Sequence, residues 1–167
     1  MTDLFDLPFE DEPETAPQPA VSLPARPNPD DERRTTNDER PIVVVVSAAV
    51  IEVEGRFLIT RRQKGVHLEG VWEFPGGKCD AGETLHAGLA RELREELDVQ
   101  SRIGEEIFST THEYPDRSIE LHFFRCELLG DPRPQLGQDM RWAARRELGE
   151  LDFPPADAAL IEMLRRA

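Results

Sequence analysis

The spacing of apolar residues changes several times along the chain, and each change marks an element. Ile42 to Ile51 is a nearly unbroken β-branched run, the pattern of a central strand buried on both faces. Glu54-Gly55 signals a tight turn, so Arg56 to Thr60 returns as the second strand of a hairpin. Gln63 to Gly70 has no periodicity and reads as a loop. Trp72-Glu73-Phe74 is a short strand halted by Pro75-Gly76-Gly77. Leu85, Leu89, Leu93 and Leu97 then recur at every fourth position, one stripe of a helix from Thr84 to Leu97. Two strands follow, about Arg102 to His112 and Ser118 to Leu128, joined through Tyr114-Pro115-Asp116-Arg117. A further strand is expected around Met140-Arg141-Trp142. The last element is a helix from about Ala156 to Arg165, with Ala159, Leu160, Met163 and Leu164 as its buried face. Strands before, around and after two helices predict an α+β domain: a mixed β-sheet with helices on both faces.

Composition divides the chain. Residues 1 to 41 hold eight of the 14 prolines and eleven acidic against four basic residues, half of the net charge of −14. With few large apolar groups, residues 1–40 bury too little surface to offset the entropy of ordering a backbone. They are expected to be a disordered leader, with the domain at residues 41–167. Within the leader, residues 4–9 (Leu4-Phe5-Asp6-Leu7-Pro8-Phe9) are either a docking peptide for a protein partner or an untethered terminus. The acidic balance argues against coating duplex nucleic acid. It does not exclude phosphate ligands held by a metal or a few local cations. Two cysteines, Cys79 and Cys126, without a C-x-x-C pair, suit reduced thiols in a cytoplasmic protein. The ten-residue run at Ile42 is too short to span a membrane, and the expected assembly state is a monomer.

The candidate chemistry lies on the Thr84 helix. Glu92, Glu95 and Glu96 stand at i, i+3 and i+4, so their carboxylates share one face, with Gly88 one turn earlier and Glu83 just before the helix. Three like charges on adjoining turns repel one another. A hard divalent cation taking oxygen ligands relieves that repulsion. A solvated face with Arg91 and Glu95 as an ordinary i, i+4 pair fits the helix alone as well. Gly76-Gly77 after a strand, allowing close backbone approach, favours the cation.

The spacing from Gly77 resembles the Nudix box of the Nudix hydrolase superfamily. Five residues lead to Glu83 and seven more to Arg91, followed by Glu92-Leu93-x-Glu95-Glu96. Asp98 replaces the last glycine of that box, at a helix end where αL geometry tolerates it. Thr60-Arg61-Arg62, His67, Glu73-Phe74-Pro75-Gly76-Gly77-Lys78, Tyr114 to Arg117 and Asp152-Phe153-Pro154-Pro155-Ala156 are similar to the MutT branch. That resemblance implies a Nudix-type α/β/α sandwich and hydrolysis of oxidised nucleoside triphosphates, notably 8-oxo-dGTP, to a monophosphate and pyrophosphate. It also implies Mg²⁺, with Mn²⁺ as an alternative, on Glu92, Glu95, Glu96 and the carbonyl of Gly76. Arg91 would pair with Glu83 or a neighbouring carboxylate and orient the ligands. Arg62, Lys78 and Arg117 would lie near the phosphates, His67 and Phe74 would line the base pocket, and Asp157 would meet the base edge.

Two departures bear on function. Asp157 stands where the branch has Asn. An ionised Asp only accepts hydrogen bonds, so either burial keeps it protonated or the preferred base is another, such as cytosine or adenine with an amino donor. Asp157 also reads as a polar first-turn residue of the last helix. Leu136 occupies a register where the branch often has a Glu. The general base is then a helix glutamate, unless a loop shift brings in Gln138 or Asp139. Two rivals are a catalytically idle nucleotide-binding Nudix module and cleavage of another nucleoside diphosphate derivative.

Overall fold

The computed structural model describes residues 42–167. The leader and its residues 4–9 lie outside the described residues. Strand β1 (Ile42–Val53) is the spine of the sheet. It turns through Glu54 and Gly55, both at left-handed φ (49° and 73°), into β2 (Arg56–Arg61). A hairpin with positive φ at both turn residues matches the natural twist of its strands. Strands β3 (Trp72–Glu73) and β4 (Gly76–Lys78) come next, then helix α1 (Leu85–Leu97). The chain continues as β5 (Ser101–Glu113), β6 (Arg117–Leu128), β7 (Met140–Ala144) and helix α2 (Ala158–Arg166). The strand order is β3-β2-β1-β6-β5, with β4 also on β1 and β7 on β2. Among the described residues, only β1 and β6 run parallel, from Ile42 opposite Arg117 to Ile51 opposite Cys126. The sheet is mixed, as the sequence predicts.

Side chains of β1 alternate between two cores because successive strand residues point to opposite faces. Ala49 and Ile51 join Leu58, Phe124 and the α1 leucines Leu89, Leu93 and Leu97. Ala48 and Val50 join Phe57, Ile59, Phe123 and the α2 residues Leu160, Ile161 and Leu164. Burial on both faces holds for Ser47 to Ile51, whereas Ile42 and Val43 are exposed.

Three expectations need correction. Pro75-Gly76-Gly77 does not end the pairing: Gly76 to Lys78 pair antiparallel with Val46 to Ala48 as β4. A Cβ on Gly76 would come within 2.2 Å of the Ser47 carbonyl oxygen, so the missing side chain is what admits this strand. The last helix begins later, after a 3₁₀ turn at Pro155–Asp157. Its buried face is Leu160, Ile161 and Leu164, while Ala159 and Met163 are exposed. Three residues of 3₁₀ winding change the phase at which the α-helix meets the sheet.

Helix α1 is capped at both ends. The Thr84 hydroxyl accepts from the Ala87 N–H at 3.1 Å, and Asp98 closes α1 in αL geometry (φ 49°), its N–H donating to the Arg94 carbonyl. Among the described residues, no helix is long and apolar enough to cross a membrane.

The revised face of α2 is testable by chemical denaturation. Ile161→Ala is expected to cost about 2–4 kcal/mol, and Met163→Ala less than about 1 kcal/mol.

Candidate active site

Helix α1 and strand β4 bring the acidic residues together around one guanidinium. Arg91 donates to both Glu83 oxygens, Nε to Oε1 and Nη2 to Oε2, each at 3.0 Å. Its Nη1 donates to Glu92 Oε1 at 2.8 Å and to Glu95 Oε2 at 3.3 Å, and its Nη2 also donates to the Lys78 carbonyl at 3.1 Å. Arg91 and the Asp80 N–H hold the Glu83 carboxyl below the usual range, while Glu83 and Glu92 raise Arg91. One cation thus ties the loop before α1 to the helix and to the end of β4. The glycines leave the room: a Cβ on Gly77 would lie 2.5 Å from the Glu92 carboxyl carbon.

Glu96 faces elsewhere. It lines a cleft of about 300 Å³ together with Arg62, Glu73 and Gly76, with Thr60, Gln63, Val66, Leu136 and Gln138 completing the wall. Burial pushes its carboxyl up to about 8, reinforced by Glu73, Glu92 and Glu95 and opposed by the Gly76 N–H. Glu73 accepts from Arg62 Nε at 2.6 Å, and Arg62 Nη1 donates to the His67 carbonyl at 2.8 Å. Asp157, 5% exposed, is raised to about 7, chiefly by burial and then by Glu73, with Arg62 opposing. It stands at the start of α2, the helix-terminal position its sequence context suggests, although its side chain makes no capping bond there. Glu73 is therefore within electrostatic reach of both raised acids, the half-buried Glu96 and the buried Asp157.

The predicted set is only partly assembled. The three helix carboxylates were expected to converge on one ion, but Glu92 and Glu95 turn to Arg91 and Glu96 alone opens into the cleft. Among the described residues, no three His, Cys, Asp or Glu side chains stand close enough to share an ion. The guanidinium is the nearest cation, and Coulomb attraction turns two of the three acids toward it. The donor set still suits a hard divalent ion: its side chains offer only oxygen, and Glu96 is raised by the acids beside it, a strain that a cation relieves.

Phe74 belongs to the core rather than to the cleft wall, stacked on Phe153 at 5.6 Å and edge-on to Phe123 at 6.1 Å. His67 lies exposed on the loop after β2, where only its carbonyl is engaged. Lys78 is exposed at the end of β4. Arg117 pairs with Asp116 at 2.6 Å. Its ladder partner is Ile42, whereas Ser47 is paired with Gly77, so it starts β6 about 16 Å along the sheet from the glycines. On the loop before β7, the Gln138 amide donates to the Glu96 carbonyl at 3.2 Å, while Asp139 points to Arg61. No carboxylate of that loop lines the cleft. Glu73 is the residue to which the sequence reading gave no role. Its signal was a charged residue inside a two-residue strand flanked by aromatics.

The chain is similar to known proteins. The family model described as the NUDIX domain matches residues 46–163, which include β4, α1 and Asp157. The chain belongs to the NUDIX family. It is a Nudix hydrolase of the MutT-like kind. An 8-oxo-dGTP diphosphatase of Haemophilus influenzae is 37% identical over 124 residues, 73% of this chain and 91% of that protein. A CTP pyrophosphohydrolase of Escherichia coli is 34% identical over 121 residues, 72% of this chain and 90% of that protein. The solution structure of the E. coli ORF135 protein superposes with a TM-score of 0.69 at 34% identity, covering 76% of this chain and 93% of that one.

The state of Asp157 sets a pH dependence of folding. Unfolded, its carboxyl ionises near the ordinary aspartate value of 3.8; folded, it ionises only at about 7. Between these values the folded chain holds more protons, so this contribution is fully present below 3.8 and lost as the pH rises through 7. Asp157→Asn removes the effect. Its stability relative to the parent, from urea denaturation, is expected to rise by on the order of 2 kcal/mol between pH 5 and pH 8. Parallel pH curves would contradict the burial argument.

Proposed function

We propose that this Nudix hydrolase cleaves nucleoside triphosphates to a monophosphate and pyrophosphate, with 8-oxo-dGTP as the principal substrate, through the unit at residues 41–167. The observation that carries the reading is the pairing of a carboxylate cleft (Glu73, Glu96 and the Gly76 backbone) with a buried acid, Asp157, within reach of the same Glu73. A nucleotide presents matching ends, an anionic phosphate chain and a base edge rich in donors and acceptors. Relatives at 37% and 34% identity are named for 8-oxo-dGTP and for CTP, which brackets the base.

Nudix enzymes typically depend on a divalent metal, and Glu92, Glu95, Glu96 and the Gly76 carbonyl are the residues we assign to hold Mg²⁺ or Mn²⁺. When bound, such an ion lowers the pKa of a coordinated water and neutralises charge on phosphoryl oxygens. Arg91 keeps Glu83, Glu92 and Glu95 in register, since its donors are spread over all three. Arg62 braces Glu73 against the loop carrying His67 and sets one positive charge on the cleft wall for the phosphates. Proton removal from the attacking water falls to a helix glutamate, because the loop that carries Leu136 places no carboxylate in the cleft.

Asp157 reads the base in two states. Protonated, it donates one hydrogen bond and accepts another, as Asn does, and so complements O6 and N7–H of 8-oxoguanine. Ionised, it only accepts and favours the amino group of cytosine. With its carboxyl at about 7, both states are populated near neutrality. This gives the second reading, a pyrophosphohydrolase of CTP or oxidised pyrimidine nucleotides, its specific support.

The test measures pyrophosphate release with Mg²⁺ from 8-oxo-dGTP, dGTP, 5-hydroxy-dCTP and CTP at pH 6 and pH 8. The ratio of kcat/KM for 8-oxo-dGTP over CTP is expected to fall as the pH rises, and Asp157→Asn to flatten that dependence. Glu96→Gln is expected to lower turnover by about 10²–10⁴-fold, and excess EDTA to abolish it. Near-parental rates for Glu96→Gln, or full activity in EDTA, would overturn the reading.

A further inference from the structure

Positive charge is scarce in a chain with a net −14, yet four arginines gather in one place. Arg145 and Arg146 open the 3₁₀ turn Arg145–Gly149 after β7, and Arg165 and Arg166 stand in the last turn of α2. With Glu162 they line a cavity of about 500 Å³. It shares no lining residue with the cleft that holds Glu96. Along β2, Met140 is paired with Thr60 and Ala144 with Arg56. Arg145 therefore leaves the sheet about 14 Å from the Thr60 wall of that cleft.

Two of the four guanidiniums are fixed by their surroundings. Arg145 donates to Glu52 Oε1 at 2.5 Å and to the Leu164 carbonyl, and it lies 5.1 Å from the centre of the Phe57 ring. Arg165 rests against Gly149, where a Cβ would come within 2.5 Å of the Arg165 Cζ. Gly149 has no positive φ, so its backbone conformation does not call for glycine. The space left by its missing side chain is filled by that guanidinium.

Local anions do not balance the cluster. Glu52 pairs with Arg145 and Glu162 with Arg166, while Glu147, next to Arg146 in sequence, is taken by Arg141 at 2.6 Å. The C-terminal end of α2 adds about half a negative charge, which leaves a surplus of about one and a half positive charges. That surplus sits on Arg146 and Arg165, neither of which meets a carboxylate among the described residues. An anion placed between them relieves the repulsion. Guanidinium forks match the oxygens of phosphate and carboxylate groups. A cavity of this size suits a small ligand, and five residues are too few to follow a nucleic-acid backbone, which is held by many phosphate contacts. A phosphate chain concentrates its charge, whereas a peptide brings one charge per side chain and a polar backbone to desolvate. We propose that this cavity is a second anion site, whose ligand is the phosphoanhydride chain of an oligophosphate, free or carried by a nucleotide.

The inference does not depend on the proposed function. Calorimetric titration of the full chain in EDTA tests it, with inorganic triphosphate, dGTP and hexa-aspartate as probes. Triphosphate is expected to bind, and Arg146→Gln and Arg165→Gln each to weaken it at least about fivefold. Gly149→Ala is expected to act in the same direction by displacing Arg165, and Arg62→Gln, in the other cleft, to leave binding unchanged. Equal affinity for triphosphate and dGTP assigns the phosphate chain alone, and tighter dGTP binding assigns a nucleotide; both support the site. No binding of triphosphate, binding that both arginine variants leave intact, loss of binding in Arg62→Gln, or hexa-aspartate binding as tightly would each overturn it. A second measurement avoids substitution altogether. In the NMR spectrum of the parent, the Nε–Hε signals of Arg146 and Arg165 are expected to shift as triphosphate saturates the chain, and unmoved signals contradict the proposal.

Discussion

Ionising three carboxyl groups near one another, partly shielded from water, is the constraint that organises this molecule. Asp157 is buried and Glu96 half-buried, both feel the charge on Glu73, and each is raised well above the ordinary carboxylate range. Arg62, bonded to Glu73 at 2.6 Å, supplies the opposing charge. At the acidic helix the opposing charge is Arg91, already shared among Glu83, Glu92 and Glu95. Folding therefore retains an electrostatic penalty at Glu96 that no side chain relieves. Penalties of this kind collect where binding or catalysis needs a perturbed group. A cation beside Glu96, or a base donating to Asp157, lowers it.

The fold places these groups through backbone contact. Strand β1 sends alternate side chains into two cores, so α1 and α2 settle on opposite faces of the sheet. Gly76 lets β4 press against Ser47, and Gly77 leaves space for the Glu92 carboxylate. A side chain at Gly76 would push β4 off β1, whereas one at Gly77 would displace the Glu92 carboxylate. The loop after β2 and the loop before β7 then close the cleft from outside, joined through Gln63 and Leu136.

Much of this was legible in residue order because its causes are local. The leucine spacing of α1, the Glu54-Gly55 turn, and the strands at 101–113 and 117–128 each follow from periodicity or turn chemistry within a short window. The family followed from spacing too, since the Gly77-to-Glu96 interval carries both the backbone approach and the carboxylate face. Contacts between distant segments were not legible. Pairing of Gly76 to Lys78 with β1 depends on a strand thirty residues away, so a Pro-Gly-Gly run read locally as a stop. The 3₁₀ turn before α2 moved the buried face from Met163 to Ile161. Phe74 looked like a pocket residue by motif, yet it is claimed by Phe123 and Phe153. The turning of Glu92 and Glu95 toward Arg91 is a balance of charges that spacing alone does not give.

The central claim is that the acids of α1, with Glu96 foremost, hold a divalent ion against the Gly76 backbone. Paramagnetic relaxation by Mn²⁺ tests it most directly. On titrating the ¹⁵N-labelled chain with substoichiometric Mn²⁺, the account predicts that the amide signals of Gly76, Gly77, Glu92 and Glu96 broaden first, and that excess Mg²⁺ restores them. Broadening that begins at other acidic surfaces, or that spares Gly76 and Glu96 in the parent while remaining unchanged in Glu96→Gln, would contradict it.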